Sequence, residues 1–259
     1  MSATRLEEIV SHFDNLLSVS STPDYASALN GLQVEHRGPV HKLAAAVDCS
    51  LRTIRGALQS GANLLIVHHG LFWSGLQPLT GRHYLRTQLL LANDVALYSA
   101  HLPLDAHPVI GNSRLLAYEL DLEPTAGFGR FESIFCGVRG TVDLETASLL
   151  ARVRRFARNH GGEAIASTFV AGRRTRRWAI CSGAGANADT LQEAADLVID
   201  TLIVGEGPHW SAVEAEERGL VIIYAGHYAT ETLGVRRLAT IGAERFGLPW
   251  AFIEAPTGL

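Results

Sequence analysis

The chain has few of the residues that build disulfides or thiolate metal sites. Only 3 of its 259 residues are cysteine, Cys49, Cys136 and Cys181, and they lie too far apart to form a CxxC pair. We therefore expect neither a disulfide framework nor a cysteine-ligated zinc site, and we expect the protein to occupy a reducing compartment. Any bound metal would need His, Asp and Glu ligands, and the sequence contains 11 histidines.

Long apolar runs and strong charge are missing too. No stretch approaches the length of about 18 apolar residues that a transmembrane helix needs, and no apolar signal-peptide core is seen, so we expect a cytoplasmic protein. The net charge of −4 gives no general reason to expect a nucleic acid or membrane partner. With 47% hydrophobic residues, the composition excludes disorder and predicts a compact fold.

Short apolar runs alternate with helical patterns along the chain, which is typical of βαβ units and a largely parallel sheet. Ser50 and Gly61 suit the start and end of a helix over 51–60, and Thr4 and Glu7 have capping-box spacing for a helix over 4–17. A domain boundary is predicted near 123–131, where proline and glycine cluster. Strands are predicted at 43–49, 64–67, 95–99, 178–181, 202–204 and 220–224.

Three of these predicted strands end in metal-ligand residue types. In open α/β sheets, binding sites gather outside the carboxyl ends of the strands, so these groups are expected to face one edge. Imidazole and carboxylate together suit Zn²⁺, Mn²⁺ or Fe²⁺. The residues are His68 and His69 after one strand, His101 and Asp105 after the next, and His227 and Glu231 after a later one.

The arrangement favours two ions over one. Adjacent residues of a strand point to opposite sides, so His68 and His69 would serve two neighbouring ions, with Asp105 and Glu231 as candidate bridges. The alternative is that each strand-end histidine is an ordinary hydrogen-bonded surface residue. Six other histidines have no such setting and are interpreted as ordinary ones: His12, His36, His41, His83, His107 and His160.

Two further features have plainer explanations. The small residues from Gly183 to Ala186 resemble a phosphate-cradling turn, but a plain strand-to-helix turn is favoured because neither GxGxxG nor a Walker lysine is present. Arg173, Arg174, Arg176 and Arg177 could hold phosphate or nucleic acid, and a solvated hairpin tip is favoured.

Five short motifs in order carry a resemblance to a known family. They are Asn30-Gly31-Leu32-Gln33-Val34, His68-His69-Gly70, the segment from His101 to Asp105, Gly205-Glu206, and Gly226-His227-Tyr228-Ala229-Thr230-Glu231. On these motifs the chain resembles the dinuclear-metal-centre proteins of the NGG-interacting-factor family, the GTP cyclohydrolase I type 2 homologues. The resemblance spans nearly the whole chain.

The resemblance implies an architecture. Members fold as two related α/β domains with mixed, largely parallel sheets and the metal site in the cleft between them. Here residues 1–126 plus 226–259 would form the first domain and 127–225 the second. Members commonly assemble as ring-shaped homohexamers, so a homo-oligomer is expected.

The resemblance also implies a site. Two divalent ions (Zn, Fe or Mn) would be held by His68, His69, Asp105, His227 and Glu231. Two further residues would be catalytic: His101, facing the substrate or supporting the ligands, and Glu206, as general acid/base or by orienting a ligand. Members often have Thr before Gly-Glu, where Val204 stands here.

The implied reaction is hydrolytic opening of the guanine imidazole ring of GTP with loss of formate. We therefore expect a metal-dependent hydrolase acting on a purine nucleotide or a related small molecule. The alternative is a non-catalytic metal-binding scaffold or regulatory interaction protein, because fold and ligands do not fix a substrate.

Overall fold

The computed structural model describes residues 4–259, which divide into two compact units. The first unit runs through His107 and includes Gly234–Ala255, and the second comprises Pro108–Leu233 and Pro256–Leu259. The domain limits expected from the resemblance, 126/127 and 225/226, stay a prediction.

The first unit combines short strands and helices, which alternate from β4 onward. Its elements are β1 (Thr4–Arg5), α1 (Leu6–Leu17), β2 (Gly31–Val34), β3 (Pro39–Val40), β4 (Leu43–Asp48), α2 (Leu51–Ser60), β5 (Leu64–His69), α3 (Gly81–Ala92), β6 (Ala96–Ser99) and the short α4 (Leu102–Asp105).

A five-stranded sheet forms the centre of this unit, in the order β13-β4-β5-β6-β2, where β13 is the late strand Trp250–Phe252. All neighbours pair in parallel except β2, which runs antiparallel to β6. The apolar residues of β4 and β5 are fully buried because helices cover the sheet, as parallel sheets require. The carboxyl ends of β4, β5 and β6 therefore lie side by side.

The helix ends follow the sequence signals only in part. Ser50 caps α2 in a capping box with Thr53, and Gly61 ends that helix in the left-handed conformation, as predicted. The capping box expected at Thr4 is wrong: Thr4 pairs with Val40 in a short strand, and α1 begins at Leu6 after Arg5, without a side-chain cap. Because Thr4 pairs with Val40 in strand β1, it does not cap the helix.

The second unit has a second set of strands and helices. Its elements are α5 (Asn112–Glu119), β7 (Ala126–Phe131), β8 (Ile134–Glu145), α6 (Thr146–Asn159), β9 (Ile165–Ala166), β10 (Arg174–Cys181), α7 (Ala188–Asp196), β11 (Thr201–Val204), α8 (His209–Glu217), β12 (Val221–Tyr224) and the start of α9 (His227–Phe246). Helix α9 continues into the first unit.

A six-stranded sheet orders these strands as β7-β8-β10-β11-β12-β9. Strands β10, β11 and β12 pair in parallel, whereas β7, β8 and β9 are joined by antiparallel pairing. Apolar side chains pack on both faces, with Trp178 fully buried on one face and Leu202 on the other. The mixed α/β class is confirmed, and this sheet is only partly parallel.

None of the helices in residues 4–259 combines the length and the apolar character needed to cross a bilayer.

We expect Leu65→Ala to lower the free energy of unfolding by about 2–5 kcal/mol, because Leu65 is fully buried in central strand β5 and its truncation leaves a cavity. Leu91→Ala is the matched control, since Leu91 is 62% exposed on α3, and should change stability by less than about 0.5 kcal/mol. Urea unfolding checks both. Equal losses for the two variants would contradict the placement of this core.

Candidate metal centre

Strand β5 ends in two histidines, and the Nδ1–H of each ring donates a hydrogen bond to an oxygen of a neighbouring segment. His68 is fully buried and its Nδ1–H donates to the carbonyl oxygen of Ala100 at 2.8 Å. His69 donates its Nδ1–H to Oδ1 of Asp48 at 2.9 Å. Asp48 lies opposite His69 in the β4–β5 register, so the sheet itself supplies this partner.

His101 precedes the single turn of α4 and Asp105 ends it, just after strand β6. The His101 Nδ1–H donates to Oδ1 of the buried Asp24 at 2.8 Å. Oδ2 of Asp24 also accepts the backbone N–H of Leu102 and the side-chain amide of Asn30. Burial pushes the pKa of Asp24 upward, but these hydrogen bonds outweigh it and hold that pKa below its usual value, so the carboxylate is ionised.

Three histidines of the first unit, His68, His69 and His101, converge. One ligand atom from each of His68, His69 and His101 lies within 4.8 Å of the others. The rings of His68 and His69 are 4.9 Å apart between centroids, so the expectation that they point to opposite sides is wrong. The strand ends at His69, and the long imidazoles turn to a common side there. Burial lowers the pKa of His101, which favours the neutral form that a metal needs.

Hydrogen bonds connect the loop before β2, and β2 itself, to the segments that contain His101 and Gly70. Oδ1 of Asn30 accepts the backbone N–H of His101 at 2.7 Å. Gln33 accepts the N–H of Leu71 and donates to the carbonyl oxygens of two loop residues, Ala28 and Leu29. A Cβ on Gly70 would lie 2.3 Å from the Gln33 amide, so only glycine allows this approach. The contacts explain the motifs around Asn30 and Gly70 physically.

In the second unit, the first turn of α9 carries the other ligand candidates. His227 donates its Nδ1–H to Oε1 of Glu206 at 2.8 Å, and its Nε2 lies 3.1 Å from Oε2 of Glu231. Burial pushes the pKa of His227 downward, but Glu231 and then Glu206 overcome it and raise the pKa to about 9. Glu231 is only 4% exposed, so a positive charge beside its carboxylate, from His227 or a bound cation, offsets the cost of burying it.

Small residues make room for Glu231. A Cβ on Gly183 would lie 2.2 Å from Oε1 of Glu231, and Gly183 has a left-handed φ of +63°. The Gly183 N–H donates to the hydroxyl of Thr230, and its carbonyl accepts the N–H of Glu206. The turn from Gly183 to Ala186 thus holds the backbone around this carboxylate.

All four histidines share one pattern, which suits a divalent metal ion. Each Nδ1 bonds a carbonyl or carboxylate oxygen, and a group that only accepts fixes the proton on Nδ1. In the neutral tautomer Nε2 then carries the lone pair, as in metal-binding histidines oriented by a second acceptor. Two carboxylates face Nε2 atoms, since Oδ2 of Asp105 lies 3.3 Å from Nε2 of His68 and Glu231 faces that of His227. The donor set fits Zn²⁺, Fe²⁺ or Mn²⁺.

Asp24 and Asp48 support the histidines, and sequence reasoning assigned neither a role. Asp48 had a signal, because it ends an apolar strand beside the one that ends in His69. Asp24 had none, since it acts on His101 from 77 positions away. Val204 is fully buried in the apolar core of the second unit.

The arginine cluster is engaged locally. Arg174 pairs with Asp143 on the neighbouring strand, and Arg176 also lies near that carboxylate. Arg173 donates to the backbone carbonyls of Asp200 and Gly219. The hairpin tip expected for this cluster is wrong: Arg174, Arg176 and Arg177 lie in strand β10, which pairs with β8 and β11, whereas the preceding strand β9 pairs with β12.

Comparison with known proteins points to one family over almost the whole chain. The family model described as Duf34/NIF3 (NGG1p interacting factor 3) matches residues 4–257. A relative from Pyrococcus abyssi is 42% identical over 98% of this chain and 99% of its own length. One from Deinococcus radiodurans is 39% identical over 98% of this chain and 94% of its own. Both are named GTP cyclohydrolase 1 type 2 homolog.

Solved structures agree. TTHA1606 from Thermus thermophilus superimposes with a TM-score of 0.83 at 35% identity, covering 99% of this chain and 100% of that one. A protein described as ybgI, of unknown function, gives a TM-score of 0.88 at 32% identity over 99% and 100% of the two chains.

We expect Asp24→Asn to weaken zinc binding by about 10- to 100-fold, because the charged acceptor that orients His101 is lost. Asp143→Asn is the control, since Asp143 is exposed and pairs only with arginines in the contacts above. Equilibrium dialysis against zinc measures both. Unchanged affinity in Asp24→Asn would remove Asp24 from the support of the site.

We expect Gly183→Ala to weaken zinc binding by at least about tenfold as well, because the new methyl group displaces Glu231. Gly172→Ala shares the left-handed backbone, with φ of +76°, but its Cβ meets open space. It should cost about 1–2 kcal/mol of stability and leave zinc binding intact. Comparison of the two variants in unfolding and dialysis separates backbone strain from the clash, and equal zinc affinities would contradict the clash.

Proposed function

The chain belongs to the Duf34/NIF3 family, and from this membership we propose that it binds two divalent metal ions and hydrolyses a purine nucleotide. The observation that carries the proposal is the shared orientation of four histidines. Each has its Nδ1 held by an acceptor, so that Nε2 is the atom left to bind metal.

We assign the ligands to two sets. His68, His69 and Asp105 form the set of the first unit, and His227 and Glu231 form the set of the second. His101 joins the first set as a ligand, because its donor atom lies within 4.8 Å of those of His68 and His69. This extends the role first expected for His101 from facing the substrate to binding metal.

When bound, divalent ions of this kind polarise a substrate oxygen and lower the pKa of water towards neutrality. The protein's own residues supply the rest. Asp24 and Asp48 keep the proton of their histidine on Nδ1, and the carbonyl of Ala100 does so for His68. Glu206 orients His227, and its side chain is 42% exposed, so it can also exchange a proton with a substrate as general acid/base.

For the reaction we propose the hydrolytic opening of the guanine imidazole ring of GTP. One water molecule adds at C8 and one C8–N bond breaks to give a formamide, and a second water molecule cleaves the other C8–N bond, which releases formate and leaves a diamine. The names of the relatives from Pyrococcus abyssi and Deinococcus radiodurans support this choice. The competing possibility is a metal-binding scaffold without turnover, and the experiment below distinguishes the two. A cytoplasmic location and a ring-shaped homohexamer belong to the same proposal.

We expect Glu231→Gln to lose at least about tenfold in zinc affinity, because the amide keeps the size of the carboxylate but removes its charge and its best donor atom. Glu244→Gln is the matched control, since Glu244 is an exposed residue of the same helix. Dialysis of both variants against zinc provides the measurement.

Formate release from GTP then tests the reaction. We expect release in the metal-loaded protein, in proportion to metal occupancy, and its loss in Glu231→Gln but not in Glu244→Gln. Full metal occupancy with no formate release would exclude the cyclohydrolase reaction and leave the scaffold. Turnover that persists in metal-free Glu231→Gln would refute metal-dependent hydrolysis.

A further inference from the structure

Two aromatic side chains stand beside the histidines of the first unit. The ring of Trp73 lies 4.4 Å from that of His101 and 5.0 Å from that of His69, between centroids. Tyr25 lies 6.1 Å from His101 and meets Trp73 edge to face, at 6.3 Å and 90°. Tyr25 and Trp73 thus form an aromatic corner.

The corner is accessible to a ligand. Tyr25 is 55% exposed and Trp73 is half-buried, although both touch a buried histidine. Tyr and Trp present large π faces with few rotatable bonds. Such rings next to ligand atoms are suited to contacts with a bound molecule.

Both aromatic residues are fixed by the network that orients the histidines. The backbone N–H of Tyr25 donates to Asp24, the residue that holds His101. The backbone N–H of Trp73 donates to the carbonyl of Gly70, whose contact with Gln33 fastens the loop. The backbone of the aromatic corner is therefore hydrogen-bonded to the same segments that orient the histidine ligands.

We propose that Tyr25 and Trp73 stack the planar ring of a nitrogen heterocycle beside the histidine set of the first unit, and so determine specificity. The inference rests on the proposed function, because it places the ring of the substrate next to the metal ligands. It names the residues that would recognise the ring.

The chemistry of the corner favours a flat π system over a sugar or a phosphate. Stacking on aromatic side chains is available to every nucleobase because each has a π face. The polar groups of the corner are the tyrosine hydroxyl and the indole N–H, which can donate to ring nitrogens or carbonyls. Neither residue carries the positive charge that phosphate binding calls for.

Trp73 has a second possible effect, which is to hold the rings of His69 and His101 in place. This purely structural role predicts that truncating Trp73 lowers zinc affinity and leaves ligand discrimination unchanged. Tyr25 separates the two roles, because it does not contact His69 in the ring pairs described and is the more exposed of the two.

The test uses the zinc-loaded full chain and two probes, guanosine 5′-monophosphate and ribose 5-phosphate, which differ by the base. Calorimetry gives the Kd of each probe, and elemental analysis gives the zinc content of each variant. The variants are Tyr25→Leu, Trp73→Leu and Trp73→Phe. Tyr84→Leu and Trp210→Leu are matched controls, since these residues are 48% and 46% exposed and lie on α3 and α8.

With zinc retained, we expect Tyr25→Leu and Trp73→Leu to weaken the nucleotide about 5- to 100-fold and to leave ribose 5-phosphate unchanged. Trp73→Phe should restore most of the difference, and the controls should match the parent protein. Equal affinity of the parent for both probes, or a nucleotide preference that survives in Tyr25→Leu and Trp73→Leu, would overturn the proposal. Failure of the parent protein to bind zinc would instead refute the proposed function itself.

Discussion

The candidate site depends on one type of interaction, the hydrogen bond from a histidine Nδ1 to an oxygen that can only accept. It fixes the proton on Nδ1 and the plane of the ring in His68, His69, His101 and His227, and so determines where Nε2 lies. In the first unit the register of the parallel sheet supplies two of these oxygens. Asp48 ends β4 opposite His69, and Ala100 follows β6 next to β5, the strand that contains His68. The pairing of the strands therefore supplies these supporting groups.

The second constraint on the site is the close approach of a glycine backbone to a polar side chain, which occurs at two places. Gly70 lies against the amide of Gln33, and Gly183 lies against Oε1 of Glu231. A side chain at either position would separate groups that the site holds in contact. Glycine is thus needed here for space more than for backbone freedom, although Gly183 also adopts a left-handed φ.

Local sequence patterns predicted the strand ends well, because apolar runs followed by histidine or aspartate mark where a buried strand reaches the sheet edge. These patterns alone did not bring Asp48 next to His69, because that contact depends on the pairing of β4 with β5. Asp24 escaped prediction because its partner His101 lies 77 residues away and its loop has no periodic pattern. The common direction of His68 and His69 was also missed, since strand alternation ceases to hold where β5 ends.

Zinc X-ray absorption spectroscopy of the loaded protein tests the central claim most directly, because it identifies the ligand atoms themselves. The oriented Nε2 atoms and the facing carboxylates predict a shell of nitrogen and oxygen at about 2.0–2.2 Å. The outer scattering of imidazole rings should accompany this shell. A sulfur shell at about 2.3 Å, or a shell without imidazole scattering, would contradict the account.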